Sequence, residues 1–199
     1  MRILGAVIAF LTALVWSAVW DCRDLISKLR DELVECLIEY ARSRPAEDIF
    51  EMGELYLTRY YLFGRKASSH LPHAAVRFGW LPTVRVHHFH KADAGRAQHN
   101  HPWWWAVAFV LRGSYVEERG RRRRVVRRLN VLTRSTFHRV ALLEGDVWTL
   151  FISGRYAGPW GFLVDGRVVP WRKFVEERDE QSPTPHRRGR HPAAAHPAA

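Results

Sequence analysis

The residues best suited to chemistry lie in one short stretch, Gly95-Arg96-Ala97-Gln98-His99-Asn100-His101-Pro102-Trp103. His99 and His101 are two positions apart. On a β-strand, side chains at i and i+2 leave the same face of the sheet, so two imidazoles at this spacing can reach one point. Neutral imidazole is a ligand for iron, manganese, nickel, copper and zinc. A third ligand has to come from elsewhere in the chain. His138 is the best placed, because it follows the polar loop Thr133–Phe137 and opens a run with strand character. His99, His101 and His138 are therefore the candidate metal ligands. The competing reading is a structural pair that arises by chance among 11 histidines.

Residues around this stretch are candidates for supporting roles. His88 and His90 share strand parity with Val84 and Val86. They are read as lining a barrel near the metal, either as hydrogen-bond partners of the ligands or as acid–base groups. A half-exposed strand face is an equal alternative. A regular strand would carry Trp103, Trp105, Val107 and Phe109 on the histidine face as a dry interior, and Pro102 is the residue that could shift this register. Tyr115 and Arg112 flank the Gly113 turn and are weaker candidates for substrate contact. No residue is assigned a catalytic role.

The elements that must position these groups follow from texture along the chain. From Tyr56 onward, short aromatic and β-branched runs alternate with turn residues. Strands are expected at Leu55–Leu62, Val84–His90, Trp103–Leu111, Ser114–Glu118, Arg124–Leu132, Arg139–Leu142, Trp148–Ser153, Trp160–Val164 and Val168–Pro170. Asp165-Gly166 has the composition of a two-residue hairpin turn, and Glu144-Gly145-Asp146 reads as a second turn. Many short strands imply a mainly β sandwich or closed barrel, here over residues 50–177.

Residues 21–45 read as an amphipathic helix. Leu25, Leu29, Leu33 and Leu37 recur at i, i+4, and Ile26, Val34 and Ile38 widen the stripe. Packing on the barrel, or on its own copy in a homodimer, is the expected use. Residues 1–20 contain an uncharged apolar run from Ile3 to Trp20, at the lower length limit for a membrane span. An anchor, a buried helix and a signal peptide are the three readings. For an anchor, the excess of Arg23, Lys28 and Arg30 after the run places the folded domain on the cytoplasmic side. Residues 178–199 form a Pro/Arg/His/Ala tail expected to be disordered.

The formal charge is +11, which favours an anionic contact of some kind. The densest run, Arg119 to Arg124 followed by Arg127-Arg128, reads as a solvated hairpin tip. It carries no interleaved aromatic residue, which disfavours nucleic acid as partner. With an anchor, lipid contact would gain on DNA. The two cysteines, Cys22 and Cys36, would be about 21 Å apart along a continuous helix and imply no disulfide.

The segment Gly95–Gly113 resembles the first motif of the cupin superfamily. Gly95, His99, His101 and Gly113 fill the matching places, with one residue fewer between Gly95 and His99. The slot of the usual acidic ligand holds Ala106. His138 matches the histidine of the second motif, while Thr133, Ser135 and Leu142 replace its proline, glycine and asparagine. Runs at Tyr56–Leu62, His87–His90, His99–Trp103, Phe137–Val140 and Trp148–Phe151 also resemble small cupin-like proteins of bacteria and phages. The resemblance implies a cupin-type jelly-roll β-barrel with an N-terminal helical segment. A set of three histidines without the glutamate resembles thiol-dioxygenase-type cupins. It implies a divalent ion, Fe(II) first and Mn, Ni or Zn as alternatives, with open positions for a small molecule. Asp93, Glu117, Glu118 and Glu144 are the candidates to replace the missing carboxylate. The readings in competition are a metal-dependent oxygenase or isomerase, a non-catalytic metal- or ligand-binding cupin, and a membrane-associated protein whose barrel has lost its metal.

Overall fold

The structure is a computed structural model that describes residues 24–63, 82–95 and 97–180. The apolar run at 3–20 and the tail beyond residue 180 lie outside the described residues. The chain divides into two compact units at Arg44/Pro45. In the first, helix α1 spans residues 24–42, and it stops shortly before Pro45, whose ring cannot continue a helix. Leu25, Ile26, Leu29 and Leu33 on this helix are exposed, whereas Ile38 and Ala41 are fully buried. No helix among the described residues is long and apolar enough to cross a membrane.

The second unit is mainly antiparallel β-sheet. Its strands are β1 (Ala46–Glu51), β2 (Glu54–Phe63), β3 (Thr83–Phe89), β4 (Gln98–His99), β5 (Trp105–Arg119), β6 (Arg122–Val126), β7 (Leu129–Thr133), β8 (Arg139–Ser153), β9 (Gly161–Val164) and β10 (Arg167–Pro170), followed by helix α2 (Trp171–Glu180). The large sheet runs β1-β2-β3-β8-β5-β6, with β7 also paired to β5. The small sheet runs β10-β9-β4. Among the described residues the strands do not close into one continuous barrel.

Several expected boundaries move, for identifiable reasons. The runs expected at Trp103–Leu111, from Trp105 onward, and at Ser114–Glu118 belong to one 15-residue strand, β5, and those at Arg139–Leu142 and Trp148–Ser153 to another, β8. Gly113 (φ +70°) and Gly145 (φ +79°) supply the turn-like backbone, but they meet across the ladder. A side chain on Gly113 would press against the carbonyls of Asp146 and Glu144. The register of β5 on β8 shifts on both sides of Arg112. These glycines thus bend a paired ribbon as β-bulges instead of ending it. Conversely, the expected strand Arg124–Leu132 breaks at Arg127-Arg128 into β6 and β7, and both pieces pair with β5. Asp165 (φ 47°) and Gly166 (φ 76°) form the hairpin turn between β9 and β10. The strand β1 and its Met52-Gly53 turn were not expected, nor was α2.

Register fixes which side chains share a face. Across β2, β3 and β8, Arg59 lies opposite His87, and His87 opposite Thr149. In the next row on that face, Tyr61 lies opposite Arg85, and Arg85 opposite Phe151. The other face of the same strands carries Tyr60, Val86, His88 and Trp148, with Val86 and Trp148 fully buried. On the Arg59 face, Ala106, Ala108, Leu132 and Phe151 form one apolar cluster, with Trp103 packed against it.

The small sheet is tied to the histidine segment through Asn100. Its amide N–H donates to Gly161 O (3.1 Å), its side-chain oxygen accepts from Gly161 N–H (2.9 Å), and its side-chain nitrogen donates to Arg134 O (3.0 Å). A side chain on Gly161 would fall on the carbonyl of Val169 across the β9–β10 ladder. Gly161→Ala is expected to destabilise the fold by about 1–3 kcal/mol through overpacking against backbone. Denaturant unfolding of the two proteins side by side checks this.

Candidate metal centre

The site is assembled by one backbone pair. His99 and His138 exchange both main-chain hydrogen bonds, His99 N–H to His138 O (2.9 Å) and His138 N–H to His99 O (3.0 Å). This is the hydrogen-bonded type of antiparallel pair, which sets two residues directly opposite one another. His99 also pairs with Phe162 on the other side. Asn100 turns away toward Gly161 and Arg134, so His101 returns to the side of His99, as the two-residue period requires. One nitrogen from each of His99, His101 and His138 lies within 4.8 Å of the others. His101 Nε2 and His138 Nε2 are 2.9 Å apart.

The electrostatics suit neutral ligands. Burial pushes His99 down to about 4; Asp93 opposes this and His138 adds to it. Burial likewise holds His101 well below the ordinary imidazole value, with repulsion from His138 and His99 acting the same way. Imidazoles kept unprotonated at neutral pH have their lone pairs free for a metal. The rings around them are aromatic. His101 stacks on Trp103 at 5.4 Å, and His99 meets Phe162 at 5.6 Å and Trp160 at 6.0 Å.

A buried carboxylate stands behind His138. Glu117 has no solvent exposure, and its Oε1 lies 2.8 Å from His138 Nδ1, although the N–H is not aligned along that line. Asn130 Nδ2 donates to Glu117 Oε1 (2.8 Å), while Arg119 Nε (2.9 Å) and Arg124 Nε (2.7 Å) donate to Oε2. Burial alone would raise the Glu117 carboxyl. The contacts with His138, Asn130 and Arg119 outweigh it and bring the group down to about 2. The charge-rich hairpin is therefore not simply a solvated tip: two of its arginines point back and neutralise Glu117. Arg123 pairs with Glu118 (3.0 Å), as does Arg139 (2.6 Å).

Of the four carboxylates considered from sequence, two approach the histidines. Glu117 addresses the nitrogen of His138 that is remote from His101. Asp93 lies 3.8 Å from His99 Nδ1, accepts from Val140 N–H (2.7 Å) and is hydrogen-bonded by the hydroxyl of Tyr56. Glu118 is held by arginines, and Glu144 accepts from Ser114 Oγ. Ala106 is buried in the apolar cluster with Phe151.

The remaining candidates separate clearly. Trp103 packs on His101. Trp105 lies on the opposite face from Ala106 and is 43% exposed, because the chain is irregular between β4 and β5 and the register shifts at Pro102–Trp104. His88 lies on the Trp148 face, stacked on that ring at 4.0 Å and bonded to Asp146 (2.7 Å). His90 follows the same parity and contacts Thr58 Oγ1 (2.9 Å). Neither lines the histidine site. The histidine that does face it is His87, of opposite parity. Tyr115 is buried and accepts a bond from Asn130 (2.9 Å), so it supports Glu117 from behind. Arg112 pairs with Asp146 (3.1 Å). Sequence reasoning missed His87, Arg85 and Arg59. Their only signal was the alternation Arg85-His87-Phe89, which the neighbouring valines masked.

No family model matches the chain, and no curated protein matches it. Solved structures do match. A cupin-2 domain protein of Rhodospirillum rubrum is 12% identical, with TM-score 0.43, covering 61% of this chain and 76% of its own. A cupin 2 conserved barrel domain protein of Rhodopseudomonas palustris is 15% identical, with TM-score 0.42, covering 62% and 79%. An RmlC-like cupin protein of Ralstonia eutropha is 18% identical, with TM-score 0.38, covering 68% and 80%. The likeness concerns the mainly antiparallel β architecture, which the strand pairing above establishes on its own terms.

Glu117→Gln tests the carboxylate. A group held below its ordinary value of 4.5 stabilises the fold above that value, and the stabilisation is lost as the pH falls toward 2. The variant should be less stable at neutral pH, and its stability should depend less on pH below about 4.5. Thermal unfolding across a pH series reads both effects.

Proposed function

We propose that His99, His101 and His138 hold one divalent metal ion and that the centre serves a metal-dependent enzyme of the oxygenase or isomerase type acting on a small molecule. The observation that carries this reading is the convergence of three imidazoles within 4.8 Å, with a buried carboxylate against the far nitrogen of one of them. Carboxylate–histidine–metal arrangements of this kind fix the ring orientation and raise ligand basicity.

The donor set fits such an ion. Nitrogen-only ligation suits iron, nickel, copper or zinc, and ferrous iron is what the resemblance to thiol-dioxygenase-type cupins implies. When bound, the ion supplies Lewis-acid polarisation of a bound oxygen atom or a site for dioxygen. The chain's own residues do the rest. Trp103, Phe162 and Trp160 surround the imidazoles with apolar rings. Glu117 orients His138, and Asp93 lies on the Nδ1 side of His99. With three protein ligands and Ala106 in place of a fourth, coordination positions remain for substrate. Among the matched structures, one is described as Fe(II)-HppE with an alternative substrate, and another as a 2OG-Fe(II) oxygenase family protein of Burkholderia pseudomallei. Those activities belong to those proteins.

Metal analysis of the purified chain should find about one divalent ion per molecule, and His99→Ala and His138→Ala should each lose most of it. A folded wild-type protein with no stoichiometric metal near neutral pH would overturn the reading. Stoichiometric metal without turnover of small acids or thiols under oxygen would instead favour a binding module that does no chemistry. Glu117→Gln should retain the ion with an affinity lower by about 10–100-fold, measured by competition with a chelator.

A further inference from the structure

The inner face of the large sheet carries polar groups that the metal centre does not use. Arg59, His87 and Thr149 form one row across β2, β3 and β8, with Arg85 in the next row. His87, Arg85 and Thr149 are 4%, 5% and 1% exposed. Arg59 Nε, Arg85 Nε, His87 Nε2 and Thr149 Oγ1 are all buried, with no hydrogen-bond partner among the described residues. Buried polar atoms are ordinarily paired, and here four orphans occupy two adjacent rows. Two of the four are guanidinium donors.

Their surroundings neutralise them only in part, with Glu47 of β1 directly opposite Arg59 at the end of the same row. Arg85 donates to Ser153 Oγ and lies over the rings of Trp103 (4.6 Å) and Phe151 (5.4 Å). The carboxylate that acts on it, Glu47, is already engaged by the Tyr61 hydroxyl. Burial, and then repulsion from Arg59, push Arg85 down to about 9, which marks a poorly compensated charge. Arg59 also acts on His99, His101 and His87. These rows lie one ring from the metal centre: Trp103 stacks on His101 at 5.4 Å, and Phe151 stacks on His87 at 4.7 Å while meeting His101 edge-on at 6.3 Å.

We propose that Arg59, Arg85, His87 and Thr149 form an oxyanion subsite that takes the carboxylate of a small organic acid, leaving the other end of that molecule toward His101. The proposal deepens the metal-centre reading and rests on it for the position of the reactive end. Guanidinium forks match a carboxylate in geometry and charge. Thr149 supplies a hydroxyl donor, and His87 can donate through Nε2 in the appropriate tautomer. Three imidazole ligands bring no negative charge of their own to a divalent ion, which adds to the preference for an anion.

The test is titration of the full chain with sodium propionate and with propionamide, its neutral isostere, at constant ionic strength. Binding is followed by calorimetry and tryptophan emission, on metal-free and metal-loaded protein. Propionate should bind in both states, and propionamide at least tenfold more weakly. Arg85→Gln and Arg59→Gln should each weaken propionate at least tenfold. Thr149→Val, which keeps the side-chain shape, should weaken it about fivefold, the effect of one neutral hydrogen bond. Because Arg85→Gln removes packing against two rings, the wild-type comparison of the two probes and Thr149→Val stand independently of its folding. Propionate bound only with metal, and unaffected by Arg59→Gln and Thr149→Val, would place the anion on the metal and overturn the subsite. Equal binding of the two probes, or none, would overturn it as well. Arginine-dependent propionate binding in a protein that never takes up metal would uphold the subsite while the metal reading fails.

Discussion

A carboxylate with no access to water must be satisfied wholly by protein donors. Glu117 is in that position, and much of the β unit is arranged around it. Asn130 from β7, Arg119 from the end of β5 and Arg124 from β6 all reach it, and His138 approaches from the start of β8. Four segments are thereby held at one point. Removing a single donor would leave a buried charge undercompensated, which is far more costly than losing an exposed ion pair. The position of the His138 ring is thus linked to the hairpin that shows the highest charge density in the sequence.

The legible parts of the molecule were those with a local signature. Two histidines at strand spacing and a third isolated one were enough to anticipate that three imidazoles meet. The Asp165-Gly166 hairpin carried its own φ-permissive composition. Other features depended on partners far along the chain. Gly113 and Gly145 look like turns until they are seen close to one another across a ladder, where Gly113 leaves room for the carbonyls of Asp146 and Glu144. Strand parity failed at His88 and His90 for a related reason. Buried residues lie on both faces of the large sheet, so valines at 84 and 86 do not mark the inner side. Periodicity reveals which residues share a face, but not which face is inside.

The same limit applied to charge. A run of arginines reads as solvated because most such runs are. Whether one of them folds back depends on an acceptor that local sequence cannot place. Arg119 and Arg124 find Glu117, Arg123 finds Glu118, and Arg85 lies between aromatic rings on another strand. The arginines among the described residues are therefore used in three ways: paired with acids, exposed at the hairpin, and held only partly compensated beside the imidazoles.

The backbone pair between His99 and His138 has a further implication for how the chain folds. His101 and His138 are 37 residues apart in sequence, and the whole meander of β5, β6 and β7 lies between them. An ion gripping both ends would close that loop in the unfolded ensemble as a covalent cross-link does, and closing a longer loop removes more chain entropy. It would also release its hold whenever the imidazoles became protonated. The meander would then behave as a reversibly stapled segment, with its resistance to unfolding set as much by the acidity and metal content of its surroundings as by its packing.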